Sequence, residues 1–158
     1  MSDRGVFTAA IVTAVLILAG AFVLPQLFIF ESAKAVIFVA ISILAFFGED
    51  RYSYMLGAVF PPLWFIVDII IGVLGQDFRI LLDFVSGNPG SPLSTPLHAV
   101  ARLTAVVLLI ASVRAWRKQV PAKFLGKVFW TCLVISLAYI GLLTLWYTRL
   151  FPKAGAGG

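Results

Sequence analysis

The chain has 158 residues, of which 61% are hydrophobic and only 12% are charged, with a formal net charge of +5. A soluble domain is roughly 45–50% apolar and about 25% charged, so the composition excludes a water-soluble globule, and the apolar excess also excludes a disordered chain. The single cysteine, Cys132, excludes a disulfide-rich fold. The remaining class is an all-α protein, a polytopic bundle of transmembrane helices.

The number of spans follows from the length of the apolar segments. A helix needs about 20 mostly apolar residues to cross a bilayer. Four segments meet this requirement, at 6–24, 54–75, 97–113 and 128–147. A fifth, at 33–48, has 16 residues and carries Lys34 near its start. We expect it to cross as well, with Lys34 reaching the headgroups, which gives five spans. Four spans plus a re-entrant segment is the alternative.

The first segment also has the features of a signal peptide. A short polar start, Met-Ser-Asp-Arg, precedes an apolar stretch, and 19–21 reads Ala-Gly-Ala, like a cleavage site. However, apolar sequence continues past this point to Phe30. We therefore expect an uncleaved span, and cleavage would leave the later topology unchanged.

The distribution of basic residues predicts an orientation. The segment 114–127 contains five Lys and Arg residues, and such loops favour the cytoplasmic side. Five spans then place the N-terminus inside and the C-terminus outside, with seven basic residues inside, four outside and Arg102 within a span. Anionic headgroups are the natural counter-charge for this loop, so the net charge does not require nucleic acid. A bacterial inner membrane is the simplest location.

The segment 76–96 is predicted to lie outside. Its apolar residues Phe78, Leu81, Leu82 and Val85 share one helical face. This pattern indicates either a short amphipathic helix in the outer interface or an extension of the preceding span. A loop rich in Pro and Gly follows, and Thr95 is expected to cap the next helix. Residues 1–153 then form one transmembrane domain, and 154–158 form a flexible tail.

The most informative residue inside a predicted span is Asp68. A carboxylate at this depth is costly by about 2.5–3.5 kcal/mol or more, so it needs a partner or a proton. Asp68 lies roughly 10 Å and Arg102 roughly 8 Å from the outer ends of their spans, at 1.5 Å per residue. His98, four residues before Arg102, shares its helical face. We expect one polar cluster of Asp68, Arg102 and His98, with Asp83 approaching from above. Such a cluster is either a structural ion pair or a proton, cation or ligand site.

The same span contains Pro61 and Pro62, which remove two backbone donors and predict a kink. The kink serves either packing or a hinge that shapes a cavity beside Asp68. Aromatic residues near the span ends, including Tyr54 and Trp116, are predicted to anchor the helices in the membrane interface.

Catalytic motifs are missing from the sequence. One histidine and one cysteine do not supply a His-rich metal or haem site, and neither a zinc-protease nor a nucleophile-elbow motif occurs. We therefore expect no catalytic residues, metal or cofactor, and an enzyme is disfavoured. The sequence favours a non-catalytic subunit or accessory component that contacts the lipid bilayer and a larger complex or further copies of itself. The alternative is a small transporter or channel-like protein that uses Asp68, with Arg102 and His98, as a proton or cation site.

Overall fold

The computed structural model describes residues 4–23, 28–87 and 96–150. Within these ranges the chain is entirely helical and contains no strand, which confirms the predicted all-α class. The helices are α1 (Arg4–Val23), α2 (Phe28–Phe46), α3 (Asp50–Ile71), α4 (Val73–Val85), α5 (Pro96–Gln119) and α6 (Lys127–Leu150). All except α4 are long and apolar enough to cross a membrane. Two predicted features lie outside the described residues. They are the loop at 88–95, which includes the predicted helix cap Thr95, and the tail at 154–158.

The second helix begins earlier than the sequence indicated. It covers Phe28–Phe46, 19 residues, instead of 33–48. At 1.5 Å per residue this is about 28 Å, close to the thickness of a bilayer core. The helix is continuous, without the break that a re-entrant segment needs. Its earlier start places Glu31 and Lys34 inside the first turns of the helix.

The third helix ends at Ile71 and does not run on to position 75. Gly72 has φ 79° and ψ 7°, a left-handed conformation that glycine adopts at little cost. Its backbone N–H donates to the carbonyl of Ile69, which closes the helix. Consequently α4 is a separate helix, and it packs against α3 and α5. Most of its predicted apolar face stays exposed, including Phe78, while Ile80 is buried.

The two prolines lie inside α3, which continues through both of them. Pro61 is fully buried in the core. One turn earlier, Gly57 faces α5, where an added Cβ would lie 2.2 Å from the Ser112 hydroxyl oxygen. The absence of a side chain at Gly57 therefore allows α3 and α5 to approach closely. The hinge predicted at Pro61 and Pro62 thus lies within a continuous helix, and it remains a prediction.

Four helices surround the core. Helix α1 packs against α2 and α5, and α3 packs against α5 and α2. Small residues on α1 and α5 permit a close approach, and the Thr13 and Thr104 hydroxyl oxygens lie 2.9 Å apart between them. Helix α6 packs on the outside of this group, mainly against α3. The described residues therefore form a four-helix core with one further long helix packed on its outside.

Two of the predicted membrane anchors are core residues instead. Tyr54 is fully buried, and its hydroxyl donates to Gln119 Oε1 at 2.8 Å. Trp116 is only 3% exposed, because the loop after α5 folds back and places the Phe124 ring against it. The prediction that these two residues anchor the helix ends at a lipid interface is therefore wrong.

Candidate functional site: a buried charged cluster

Five ionisable side chains lie at one end of the four-helix core. They are contributed by the first turns of α2 and α5 and by the last turns of α3. We call these residues the charged cluster: Glu31, Lys34, Asp68, His98 and Arg102. Because neighbouring long helices run antiparallel, the starts of α2 and α5 lie at the level where α1 and α3 end. Antiparallel packing thus brings together charges that are distant in sequence.

The central contact of the charged cluster joins α3 and α5. Arg102 Nε donates to Asp68 Oδ2 at 2.8 Å, and the two residues are 4% and 5% exposed. A hydrogen bond from a guanidinium to a carboxylate is charge-assisted, which makes it stronger than a neutral hydrogen bond. The Arg102 guanidinium carbon also lies 5.6 Å from the centre of the Trp64 ring, within range of a cation–π contact. The structure therefore brings together two of the three residues that the sequence singled out.

The third residue, His98, faces a different carboxylate. Its Nε2 lies 3.3 Å from Oε2 of Glu31 on α2, and the side chain is nearly buried. His98 lies one turn before Arg102 on α5, and at that level the neighbouring acidic side chain comes from α2. The prediction from the sequence did not include Glu31, because the apolar pattern places the start of this span at position 33. The signal was the spacing of Glu31 and Lys34, since an acid and a base three residues apart pair on one helix.

Lys34 completes this part of the charged cluster. Its Nζ lies 2.8 Å from Glu31 Oε1, so the two oxygens of Glu31 face two different bases. The ammonium group also lies 4.5 Å from the centre of the Phe30 ring. The Lys34 side chain is 18% exposed, whereas that of Glu31 is 7% exposed. Lys34 therefore lies at the boundary of the cluster, with the carboxylate deeper.

Helix α1 contacts His98 through Gly20, a residue without a side chain. A Cβ added to Gly20 would lie 2.8 Å from His98 Cε1 and 2.9 Å from Nε2, closer than atoms tolerate. Gly20 is therefore required by the imidazole of His98, which packs directly on the α1 backbone. Asp83, which the sequence placed above the cluster, is exposed on α4.

The charges of the cluster balance when His98 is neutral. Asp68 pairs with Arg102, and Glu31 pairs with Lys34. A proton taken up by His98 adds one positive charge next to a carboxylate that Lys34 already neutralises. Among the described residues, no three His, Cys, Asp or Glu side chains come together as a metal site would need. The arrangement is therefore suited to holding helices in register.

Comparison with known proteins does not assign the chain to a family. No protein-family model, no curated protein and no solved structure matches the chain. Its function is therefore inferred from its own contacts.

Proposed function

We propose that this chain is a small integral membrane protein that acts as a non-catalytic subunit or accessory component of a membrane complex. It crosses the membrane five times with the N-terminus inside, as in a bacterial inner membrane. The observation that carries this proposal is the buried pair of Asp68 and Arg102. An intramembrane carboxylate that is already paired within its own chain favours a structural role over transport.

The physical reason lies in the chemistry of arginine. A guanidinium stays protonated throughout the accessible pH range, so the positive charge opposite Asp68 is permanent. A carboxylate that carries protons or cations must exchange its partner during each cycle. Separating Asp68 from Arg102 inside an apolar bundle would leave two buried charges unpaired, a state that is strongly destabilising. The pair therefore favours a static role that fixes the register of α3 against α5.

The outer surface of the bundle supports placement in a membrane. Large apolar side chains are widely exposed on the long helices, for example Phe22 (72%), Phe46 (73%) and Ile70 (77%). Water would make such a surface costly, whereas lipid tails or the apolar helices of a partner would cover it. An apolar outer surface is expected both for a subunit of a complex and for a lone membrane protein. Only a direct search for a partner protein distinguishes the two.

The first experiment is affinity purification from the native host in a mild detergent, with mass spectrometry of the proteins that remain bound. We expect a larger membrane protein in a fixed ratio to this chain. A pure, monodisperse protein that retains an activity of its own would overturn the subunit role.

The orientation is tested separately by cysteine labelling. The native Cys132 is fully buried, so it gives little background with a membrane-impermeant maleimide. We expect Arg79→Cys, on exposed α4, to react in intact cells and Lys123→Cys to react only after permeabilisation. The reverse pattern would contradict the proposed topology.

One observation favours the alternative function, a small proton-coupled transporter. His98 is the only histidine of the chain, and it lies buried beside Glu31 Oε2 at 3.3 Å. If this pair carries protons, His98→Gln abolishes proton flux in reconstituted vesicles. If Asp68 carries the protons instead, Asp68→Asn should abolish the flux. An Asp68→Asn variant with full flux would exclude Asp68 as the carrier. Exchanging the charges, Asp68→Arg with Arg102→Asp, would partly restore a structural pair but not a proton site.

A further inference from the structure

A second group of charges lies at the opposite end of the core, around the connection between α5 and α6. It consists of five basic residues that the structure leaves exposed: Arg114, Arg117, Lys118, Lys123 and Lys127. We call this group, with the loop that connects it, the basic platform. Among the described residues, none of the five forms a salt bridge, although Glu49 and Asp50 lie at the same end of the bundle. The platform is thus a concentrated positive charge that the other described residues do not neutralise.

The basic platform rests on a packed aromatic base. The Phe124 ring contacts Trp116 edge-on, with ring centres 5.9 Å apart, and lies 6.0 Å from the Phe129 ring. The Val120 backbone N–H donates to the carbonyl of Trp116 at 3.0 Å, which extends the end of α5. A Cβ at Gly126 would lie 3.1 Å from the carbonyl oxygen of Lys123, so the loop turns tightly at this point. The five cations are therefore presented by an ordered surface.

Two apolar side chains project from the same surface. Leu125 is 70% exposed and lies between Lys123 and Lys127 in sequence, and Trp130, one turn into α6, is 59% exposed. The platform joins two helices that are apolar and long enough to span a membrane, so it lies where those helices leave the hydrocarbon. Tryptophan and basic side chains are both typical of this boundary, where one group meets acyl chains and the other meets phosphates.

We propose that the basic platform binds the headgroups of anionic phospholipids in preference to zwitterionic ones. Its Lys and Arg side chains contact the phosphates, while Leu125 and Trp130 enter the upper acyl region. An acidic protein surface would satisfy the cations equally well, but it would not explain two exposed apolar side chains at the depth of the headgroups. The inference uses the proposed membrane placement and not the subunit role, so failure to find a partner protein would leave it intact.

The test uses the full-length protein in nanodiscs that contain phosphatidylcholine and phosphatidylglycerol in equal amounts. After gentle extraction, native mass spectrometry counts the lipids of each class that remain bound. We expect the wild-type protein to retain phosphatidylglycerol selectively. Within a polybasic segment next to a membrane surface, each Lys or Arg contributes about fivefold to anionic lipid binding. We therefore expect Lys123→Gln combined with Lys127→Gln to lower the retention of phosphatidylglycerol by roughly 25-fold.

A matched control removes the same number of charges elsewhere. Arg4→Gln combined with Arg51→Gln changes two exposed basic residues at the same end of the core but outside the platform. Neither belongs to a cluster of like charges, and Arg51 adjoins Glu49 and Asp50, so the selectivity should fall much less than in the platform variant. A second measurement needs no variant. Raising the salt concentration from about 0.1 M to about 1 M shortens the screening length from ~10 Å to ~3 Å and should remove most of the selectivity.

Three outcomes would overturn the proposal. The first is equal retention of the two lipid classes by the wild-type protein. The second is equal loss of selectivity in the platform variant and the control variant, which would indicate a response to net charge alone. The third is selectivity that persists at high salt, which would indicate recognition that does not depend on the five cations. An acidic protein that binds the platform while lipid selectivity is absent would assign the surface to that partner instead.

Discussion

The charged cluster and the basic platform lie at opposite ends of the four-helix core, and each contains five ionisable residues, in opposite physical states. The charged cluster is buried, and its acids and bases contact one another at 2.8 to 3.3 Å. The basic platform is exposed, contains one sign of charge, and makes no salt bridge among the described residues. Charge inside an apolar bundle must be neutralised within the chain, whereas charge at the boundary can be left for the surroundings to neutralise. We therefore expect the cluster to set the internal register of the helices and the platform to set contacts with the surroundings.

The largest expected effect comes from separating the central pair of the charged cluster. Asp68→Ala leaves the Arg102 guanidinium buried without its partner, which should lower the free energy of unfolding by about 3–5 kcal/mol. Titration of the purified protein with SDS in mixed micelles, followed by helical circular dichroism, measures this change. The control is Asp83→Ala, an exposed acid of α4, with an expected change within about 0.5 kcal/mol. The double variant Asp68→Leu with Arg102→Met should be more stable than Asp68→Ala, and a less stable double variant would contradict a structural pair.

A second prediction concerns the backbone surface under His98. Gly20→Ala places a Cβ 2.8 Å from His98 Cε1, so the imidazole or α1 must shift. Overpacking of this kind costs about 1–3 kcal/mol. The matched control is Gly141→Ala on α6, where an added Cβ meets no atom within 4 Å. Because alanine favours helix over glycine, Gly141→Ala should be neutral or stabilising by up to about 1 kcal/mol. Thermal unfolding of both variants in one detergent compares them, and equal shifts would show that the contact with His98 is not important.

A third prediction separates the two members of the Glu31 pair. Glu31→Gln removes the carboxylate that faces both Lys34 and His98, with an expected loss of about 1–3 kcal/mol. Lys34→Met should cost less, because Lys34 is the more exposed partner and the carboxylate keeps His98 opposite its second oxygen. SDS titration of the two variants gives their order. If Lys34→Met were the more destabilising, the carboxylate would not be the centre of this contact.

The smallest effect on stability is expected at the basic platform. Arg117→Gln changes an exposed side chain without a salt-bridge partner, so the free energy of unfolding should change by no more than about 0.5 kcal/mol. The same measurement on Arg102→Gln should show a loss several times larger, since that arginine is buried and paired. Similar losses for the two arginines would mean that the difference between the two ends has no energetic consequence.

Much of the fold could be predicted from composition and segment length. Five long apolar helices were expected and are present in the described residues, because 20-residue apolar segments leave few structural alternatives. The spacing from the span ends also placed Asp68 and Arg102 at a common depth, and the two side chains are in contact. Boundaries were less predictable where polar residues lie inside a helix. The start of α2 was missed for this reason, and Glu31 was missed with it.

The sequence by itself determined the helical class, the number of long apolar helices and the presence of charged residues within them. These properties depend on local composition and on a fixed rise per residue. Only the tertiary structure decided which charges meet: His98 faces Glu31, Gly20 makes room for the imidazole, and Trp116 is covered by Phe124. Such contacts depend on which helix faces lie opposite each other. That choice is made by the packing of all the helices together, and no single segment of the sequence contains it.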